Sequence, residues 1–458
     1  MSYATTNPFT NDVVQRFPDA TDAEVGNALD AAHEAFLVWR DTSFSQRTAV
    51  LKKAAALTRE RSDELAMLMT LEMGKLLTEA RGEIELTANI LDYYIANAER
   101  LLAPEPLTAK NPQVGDVTMV HEPLGIILAI EPWNFPFYQA VRIAAPQLAA
   151  GNTLLLKHAS NVPQCAAAFE KLLHDAGLPQ GGFINLYANR QQIEAMINDP
   201  RVKGVALTGS EGAGSVVASQ AGRAMKKSTL ELGGSDALIV LPDADMDKTV
   251  KGAVFGRFFN CGQCCVASKR MIIADKVYDN FVERYAEAIT RLQPGNPMNE
   301  GTTLAPLSSQ QAADELNNQV KQAVNGGAGV QELGPKVPDI GAFVQPMLLT
   351  DIAPENPVYY QELFGPVTML FRAKDTEHAL AIANDSPFGL GGSVFGTDKK
   401  KALDVAKRLS TGMVFINNPT LVEPDLPFGG IRHSGYGREL IGLGIKEFVN
   451  HKLINGIL

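Results

Sequence analysis

Three of the chain's four cysteines fall within five positions, in FFNCGQCCVASKR (258–270). A cluster of thiols of this kind suits three chemistries. Cys261-x-x-Cys264 has a spacing that fits zinc, but a structural zinc site needs a second pair of ligands. Cys165 stands alone, and the seven histidines form no H-x-x-x-H pair, so no metal is expected. A dithiol redox site needs its C-x-x-C at the start of a helix in a small βαβ domain, which the surroundings do not offer. The third chemistry is a single nucleophilic thiol, which needs a base and an oxyanion stabiliser within reach. Gly262 and Gln263 beside the thiols indicate a tight polar turn rather than simple core packing, whereas Cys165 reads as a buried structural thiol. Candidate partners lie upstream. LELGG (230–234) puts Glu231 at the end of a strand before two glycines, and PWNFP (132–136) holds Asn134 between two prolines.

These residues need a framework. The first hundred residues read as helices over 21–41, 46–75 and 78–102, from apolar residues at helical spacing. From 117 the period changes. VTMVHEPLGIILAI holds two β-rich runs broken at Glu122-Pro123, and short apolar runs then alternate with helical segments through VKGVALTG (202–209). A second alternating set runs from ALIVL near 237 to MVFIN (413–417). Strand–helix alternation predicts parallel βαβ units with ligands at the carboxyl ends of the strands, here in two α/β domains plus a small terminal element. A length of 458 residues allows two or three domains.

A net charge of −10 argues against nucleic acid or an anionic membrane surface as the main partner. No stretch reaches the roughly 18 apolar residues of a membrane span. MSYATTNPFTNDVVQRF lacks the basic start and apolar centre of a signal peptide, and four cysteines make no disulfide framework. A cytoplasmic location is the expectation.

The motifs PWNFP, GSEGAG, LELGG, GQCC, QELFGPV and PFGGIRHSGYGRE follow one another between 132 and 439. In kind and order they resemble those of the aldehyde dehydrogenase superfamily, and NPFTNDVV resembles the family's usual beginning. The resemblance implies an aldehyde dehydrogenase-like α/β fold: two Rossmann-type domains with parallel sheets and a small β oligomerisation element. It implies a dinucleotide-binding domain over 1–105 and 124–232, a catalytic domain over 233–433, and an oligomerisation element over 106–123 and 434–458. The C-terminal FVNHKLINGIL reads as a β-rich strand in need of a partner edge, so a homodimer or homotetramer is expected.

Carried over by position, Cys265 is the nucleophile, Asn134 with the Cys265 backbone N–H is the oxyanion donor, and Glu231 is the base that activates water. Gly209, Ser210 and Gly214 in GSEGAG match the turn beside a cofactor pyrophosphate, and Leu232 lies beside the same site. Trp133 and Lys157 match cofactor contacts, Glu362 matches the residue holding the nicotinamide ribose, and Phe364 packs near the nicotinamide. In KHAS (157–160), Ser160 replaces the glutamate that many NAD-preferring members carry, which favours NADP, with NAD left open. Arg142 stands eight residues after Asn134, two helical turns on, and aligns with an arginine that succinate-semialdehyde dehydrogenases place against the substrate carboxylate. The second arginine of many such enzymes is replaced here by Phe259. The wording of the motifs is closest to the shorter bacterial succinate-semialdehyde dehydrogenases, with Thr420 as a further polar contact. Glutarate semialdehyde or a neutral aldehyde is the alternative substrate. Of the neighbouring thiols, Cys261 is the one expected to reach Cys265 on oxidation.

Overall fold

A computed structural model describes residues 2–111 and 113–456. The N-terminal helices are Asp22–Trp39, Phe44–Glu60, Ser62–Met73 and Leu77–Leu101. Thr21 and Ser43 each open a helix through a reciprocal capping box with the residue three further on, which satisfies donors a helix start leaves free. The single helical stretch expected over 46–75 is two helices. It breaks at Arg61, and the second helix ends at Gly74 in a left-handed conformation (φ 77°).

Two sheets carry the rest. One runs in the order Gly435–Tyr436, Lys227–Glu231, Val202–Thr208, Ile126–Glu131, Thr153–His158, Phe183–Asn185, parallel except for the first pair. The other runs Gly329–Glu332, Met347–Thr350, Val367–Ala373, Ser268–Ala274, Asp236–Val240, Gly392–Phe395, Phe415–Ile416, antiparallel only at its first pair. The parallel strands are apolar on both faces because helices cover both: Ile126–Glu131 is buried at every position but Ile130. A third sheet joins Glu105–Leu107, Val117–Pro123 and Val449–Asn455, so the C-terminal strand finds an edge within its own chain over seven paired positions. An N-terminal hairpin of Tyr3–Thr6 and Val13–Phe17 was not apparent from the sequence pattern. No helix among the described residues is long and apolar enough to cross a membrane.

Helix Pro136–Ala150 fixes the site's position. Pro136 is its first residue, where a missing N–H costs nothing, and every residue along it is buried. It therefore packs on all sides and holds the PWNFP turn rigidly at its entrance.

Candidate active site

Two cavities meet at Cys265. The larger, about 580 Å³, is walled by Leu86, Phe135, Tyr138, Phe255, Phe259 and Phe428 among others, and Cys264 and Cys265 stand at its base. The smaller, about 230 Å³, lies at the carboxyl ends of three neighbouring strands: Trp133 and Asn134 follow Ile126–Glu131, Gly209 and Ser210 follow Val202–Thr208, and Leu232 and Gly233 follow Lys227–Glu231. Cys265, Glu362 and Phe364 complete it. Among the described residues, only Cys265 and Gln139 line both cavities.

The Cys265 thiol donates a hydrogen bond to Cys264, and this bond together with burial pushes its pKa up; the cations Lys269 and Arg142 oppose the shift. At neutral pH the resting thiol is therefore protonated, and a proton must leave before it attacks. Beneath it, the fully buried Lys269 ammonium donates to the carbonyls of Cys264 and Cys265 (2.7 and 2.8 Å) and pairs with Glu362 at 2.9 Å. Glu362 also accepts from the Gly234 N–H at 3.1 Å. Gly233 permits this approach, since a Cβ there would lie 2.5 Å from the Glu362 carboxylate. Cys261 faces elsewhere: it sits in the core beneath the second sheet and its thiol donates to the Ala305 carbonyl at 3.1 Å. The thiol in contact with Cys265 is Cys264, not Cys261 as anticipated.

Asn134 is held on every side. Its side-chain Nδ2 donates to the Gln263 carbonyl (3.2 Å), and its own carbonyl accepts from Lys75 Nζ and Asn260 Nδ2 (both 2.9 Å). Lys75 forms a buried ion pair with Glu83, whose other oxygen accepts the Phe137 and Tyr138 N–H groups at 2.9 and 3.0 Å. A carboxylate there answers the open donors and positive end of helix Pro136–Ala150.

Glu231 ends its strand outside both cavity walls, 2% exposed, with neither carboxylate oxygen hydrogen-bonded. Burial, then the nearby charge of Glu439, pushes its pKa far above the carboxylate range. Room for it comes from Gly429 (φ 146°), where a Cβ would lie 2.6 Å from Glu231 Oε1.

Arg142 departs from expectation. It does not face the larger cavity. Its guanidinium is buried behind Tyr138 and Phe428, pairs with Glu439, and donates to the Tyr138 hydroxyl and Thr208 Oγ1, both at 2.9 Å. The two-turn spacing does place it on Asn134's side, but Glu439, 297 residues further along, captures the charge. Arg257, beside the vacated arginine position, is buried and donates to the Leu363 and Gly365 carbonyls. Among its lining residues the larger cavity has no Lys, Arg or His. Thr420 does line it, with its hydroxyl donating to Asp236 at 3.0 Å. Phe259 lines it too, stacked on Phe255.

The smaller cavity's residues fit a dinucleotide. Ser210 is the N-cap of helix Glu211–Arg223, whose free N–H groups suit an anionic phosphate. Gly214, in the helix's first turn, packs on Leu232, and Trp133 meets Phe364 edge-on at 5.8 Å. Lys157 lies near the end of the next strand, Thr153–His158, and Ser160 just beyond it, both away from this cavity's lining. Burial lowers the Lys157 pKa, and its ammonium lies 5.7 Å from the Tyr3 ring.

The fold and this arrangement define an aldehyde dehydrogenase: the chain belongs to the aldehyde dehydrogenase family, whose model matches residues 1–454. It is 50% identical over 452 residues to a succinate-semialdehyde dehydrogenase [NADP(+)] of Deinococcus radiodurans, covering 99% of this chain and 94% of that protein. It is 44% identical to a succinate-semialdehyde dehydrogenase [NADP(+)] of Mycobacterium tuberculosis, with 99% of both covered. Among solved structures, the succinic semialdehyde dehydrogenase of Streptococcus pyogenes in complex with NADP+ superposes with a TM-score of 0.96 at 44% identity, covering 99% of each chain.

The sequence showed no role for Lys75, Glu83, Lys269, Asn260 or Glu439, although Glu439 closes the motif PFGGIRHSGYGRE. Lys269 and Asn260 lie close enough to Cys265 to have been singled out. The other three join the site only through long-range packing.

Proposed function

We propose that the chain oxidises succinate semialdehyde to succinate with NADP, NAD being the weaker acceptor. The carrying observation is Cys265 at the junction of an aldehyde-sized apolar cavity and a cavity suited to a nicotinamide. The Cys265 thiol gives up its proton to solvent and attacks the aldehyde carbon. The resulting oxyanion of the thiohemiacetal is met by Asn134 Nδ2 and the Cys265 N–H. The chemistry that bound NADP supplies is hydride acceptance, which leaves a thioester on Cys265. Glu231 then takes a proton from the attacking water, and succinate leaves with the thiol restored. Neither oxygen of the Glu231 carboxyl is hydrogen-bonded, and the proposed step requires it to turn from its buried position toward the thioester.

Gly209, Ser210 and the start of the following helix are proposed to hold the pyrophosphate, and Trp133, Leu232, Glu362 and Phe364 the nicotinamide half. Gly214 lets that helix approach Leu232. Lys157 and Ser160 take the 2′-phosphate, and Thr420 is the polar contact for the aldehyde's distal end. We propose further that residues 1–105 and 124–232 form the dinucleotide-binding domain and 233–433 the catalytic domain. Segments 106–123 and 434–458 make the oligomerisation element of a cytoplasmic homodimer or homotetramer that binds neither nucleic acid nor membrane.

One observation favours a second reading, a neutral aldehyde as substrate: the cavity walls carry no cation, and Arg142 is already paired. Initial rates with succinate semialdehyde and butanal, each with NADP and NAD, separate the two. A strong preference for the acid with NADP supports the first reading; equal use of butanal supports the second.

A further inference from the structure

The loop that ends at Cys265 begins with three consecutive residues in the left-handed region: Asn260 (φ 52°), Cys261 (φ 53°) and Gly262 (φ 75°). Only the third is a glycine, so the first two hold a conformation that costs on the order of 1 kcal/mol or more each and needs outside support. That support is visible. The Glu79 carboxylate, from helix Leu77–Leu101, accepts the Asn260 N–H at 3.2 Å. The Cys261 thiol donates to Ala305, and Gln263 Oε1 accepts the Ser308 N–H at 2.8 Å.

The conformation aims the Asn260 side chain at the reaction's charge-stabilising group. Asn260 Nδ2 donates to the Asn134 carbonyl at 2.9 Å and to the Gln263 carbonyl at 3.2 Å. Asn134 Nδ2 donates to that same Gln263 carbonyl, also at 3.2 Å. One amide thus ties the backbone of the oxyanion residue to the acceptor that orients its side chain. Asn260 is 1% exposed and lines neither cavity, so it touches neither aldehyde nor cofactor, whereas Glu79 is part of the larger cavity's wall.

We infer that Glu79 and Asn260 are a positioning pair: Glu79 holds the left-handed turn, and Asn260 sets the Asn134 amide relative to Cys265. The inference rests on the reading of Cys265 and Asn134 as nucleophile and oxyanion donor.

The test uses the full-length enzyme. Asn260→Gly keeps a residue at ease with positive φ while deleting the amide, so any loss is not backbone strain. Glu79→Gln keeps an acceptor for the Asn260 N–H; Glu79→Ala removes it. Because a misplacement of about 1 Å can cost on the order of a hundredfold, Asn260→Gly and Glu79→Ala should lower kcat by about ten- to a hundredfold. The KM for NADP should stay within about twofold, with rates normalised to titrated Cys265, and Glu79→Gln should restore most of kcat. Normal kcat per titrated thiol in Asn260→Gly, or equal loss in Glu79→Gln and Glu79→Ala, overturns the inference. Asn134→Ala serves as control. If it too keeps full kcat, the oxyanion reading fails; if it alone loses kcat, only the positioning pair fails.

Discussion

Replacing Arg142 by Met tests what this buried guanidinium does. Its Nε faces Glu439, and its two terminal nitrogens go to Tyr138 and Thr208, so no donor is directed at the aldehyde cavity. Arg142→Met leaves Glu439, 6% exposed, without its cation. Breaking a buried pair by removing one partner costs about 3–5 kcal/mol, mostly from the charge left behind. The double variant Arg142→Met/Glu439→Gln removes that charge as well and should recover more than half of the loss, a coupling of about 2 kcal/mol or more. Urea unfolding followed by the fluorescence of Trp39 and Trp133 reads the stability, and steady-state kinetics supply the second arm. Because Arg142 acts here through Glu439 and the wall residue Tyr138, activity should fall for succinate semialdehyde and butanal alike. Unchanged stability with a KM raised for the acid alone would refute this reasoning. It would place the guanidinium on the substrate carboxylate, as the alignment by position had suggested.

Other outcomes follow from the same geometry. Burial holds the Glu231 carboxyl protonated well above the ordinary range, and a base works only once deprotonated. Turnover should therefore keep rising with pH beyond the range in which an ordinary carboxylate has already ionised, and Glu231→Gln should abolish steady turnover while leaving a burst of NADPH. Ser160→Glu places a carboxylate against a 2′-phosphate and should lower kcat/KM with NADP by about tenfold or more, with NAD little changed. Lys75→Met strands Glu83 at the start of helix Pro136–Ala150 and should destabilise the enzyme by about 3–5 kcal/mol, measured by the same unfolding assay.

Much of the site was legible because its chemistry sits in contiguous motifs. PWNFP, GSEGAG and LELGG each end a strand of the first sheet, and strand–helix alternation alone puts strand ends on one side. Trp133, Asn134, Gly209, Ser210, Leu232, Glu362, Phe364 and Cys265 do gather around one cavity. What stayed hidden depends on contacts between distant segments. Arg142 reads as a free cation until Glu439 returns on the C-terminal segment that pairs Gly435–Tyr436 with Lys227–Glu231. Periodicity marks Glu79 and Glu83 as ordinary helix residues, yet one caps a left-handed turn and the other a helix start. The C-terminal strand showed a need for an edge, but nothing local told that Val117–Pro123 would supply it. Short strands such as Gly329–Glu332 and Met347–Thr350 carry too few residues for a period to emerge.

The central claim is that Cys265 carries the acyl group. Mixing Glu231→Gln with NADP and succinate semialdehyde, quenching in acid and mapping the peptides by mass spectrometry tests it directly. A succinyl thioester on Cys265, with Cys261 and Cys264 unmodified, is the predicted result. An adduct on Cys264, or NADPH formed with no acyl-enzyme on any cysteine, would contradict it.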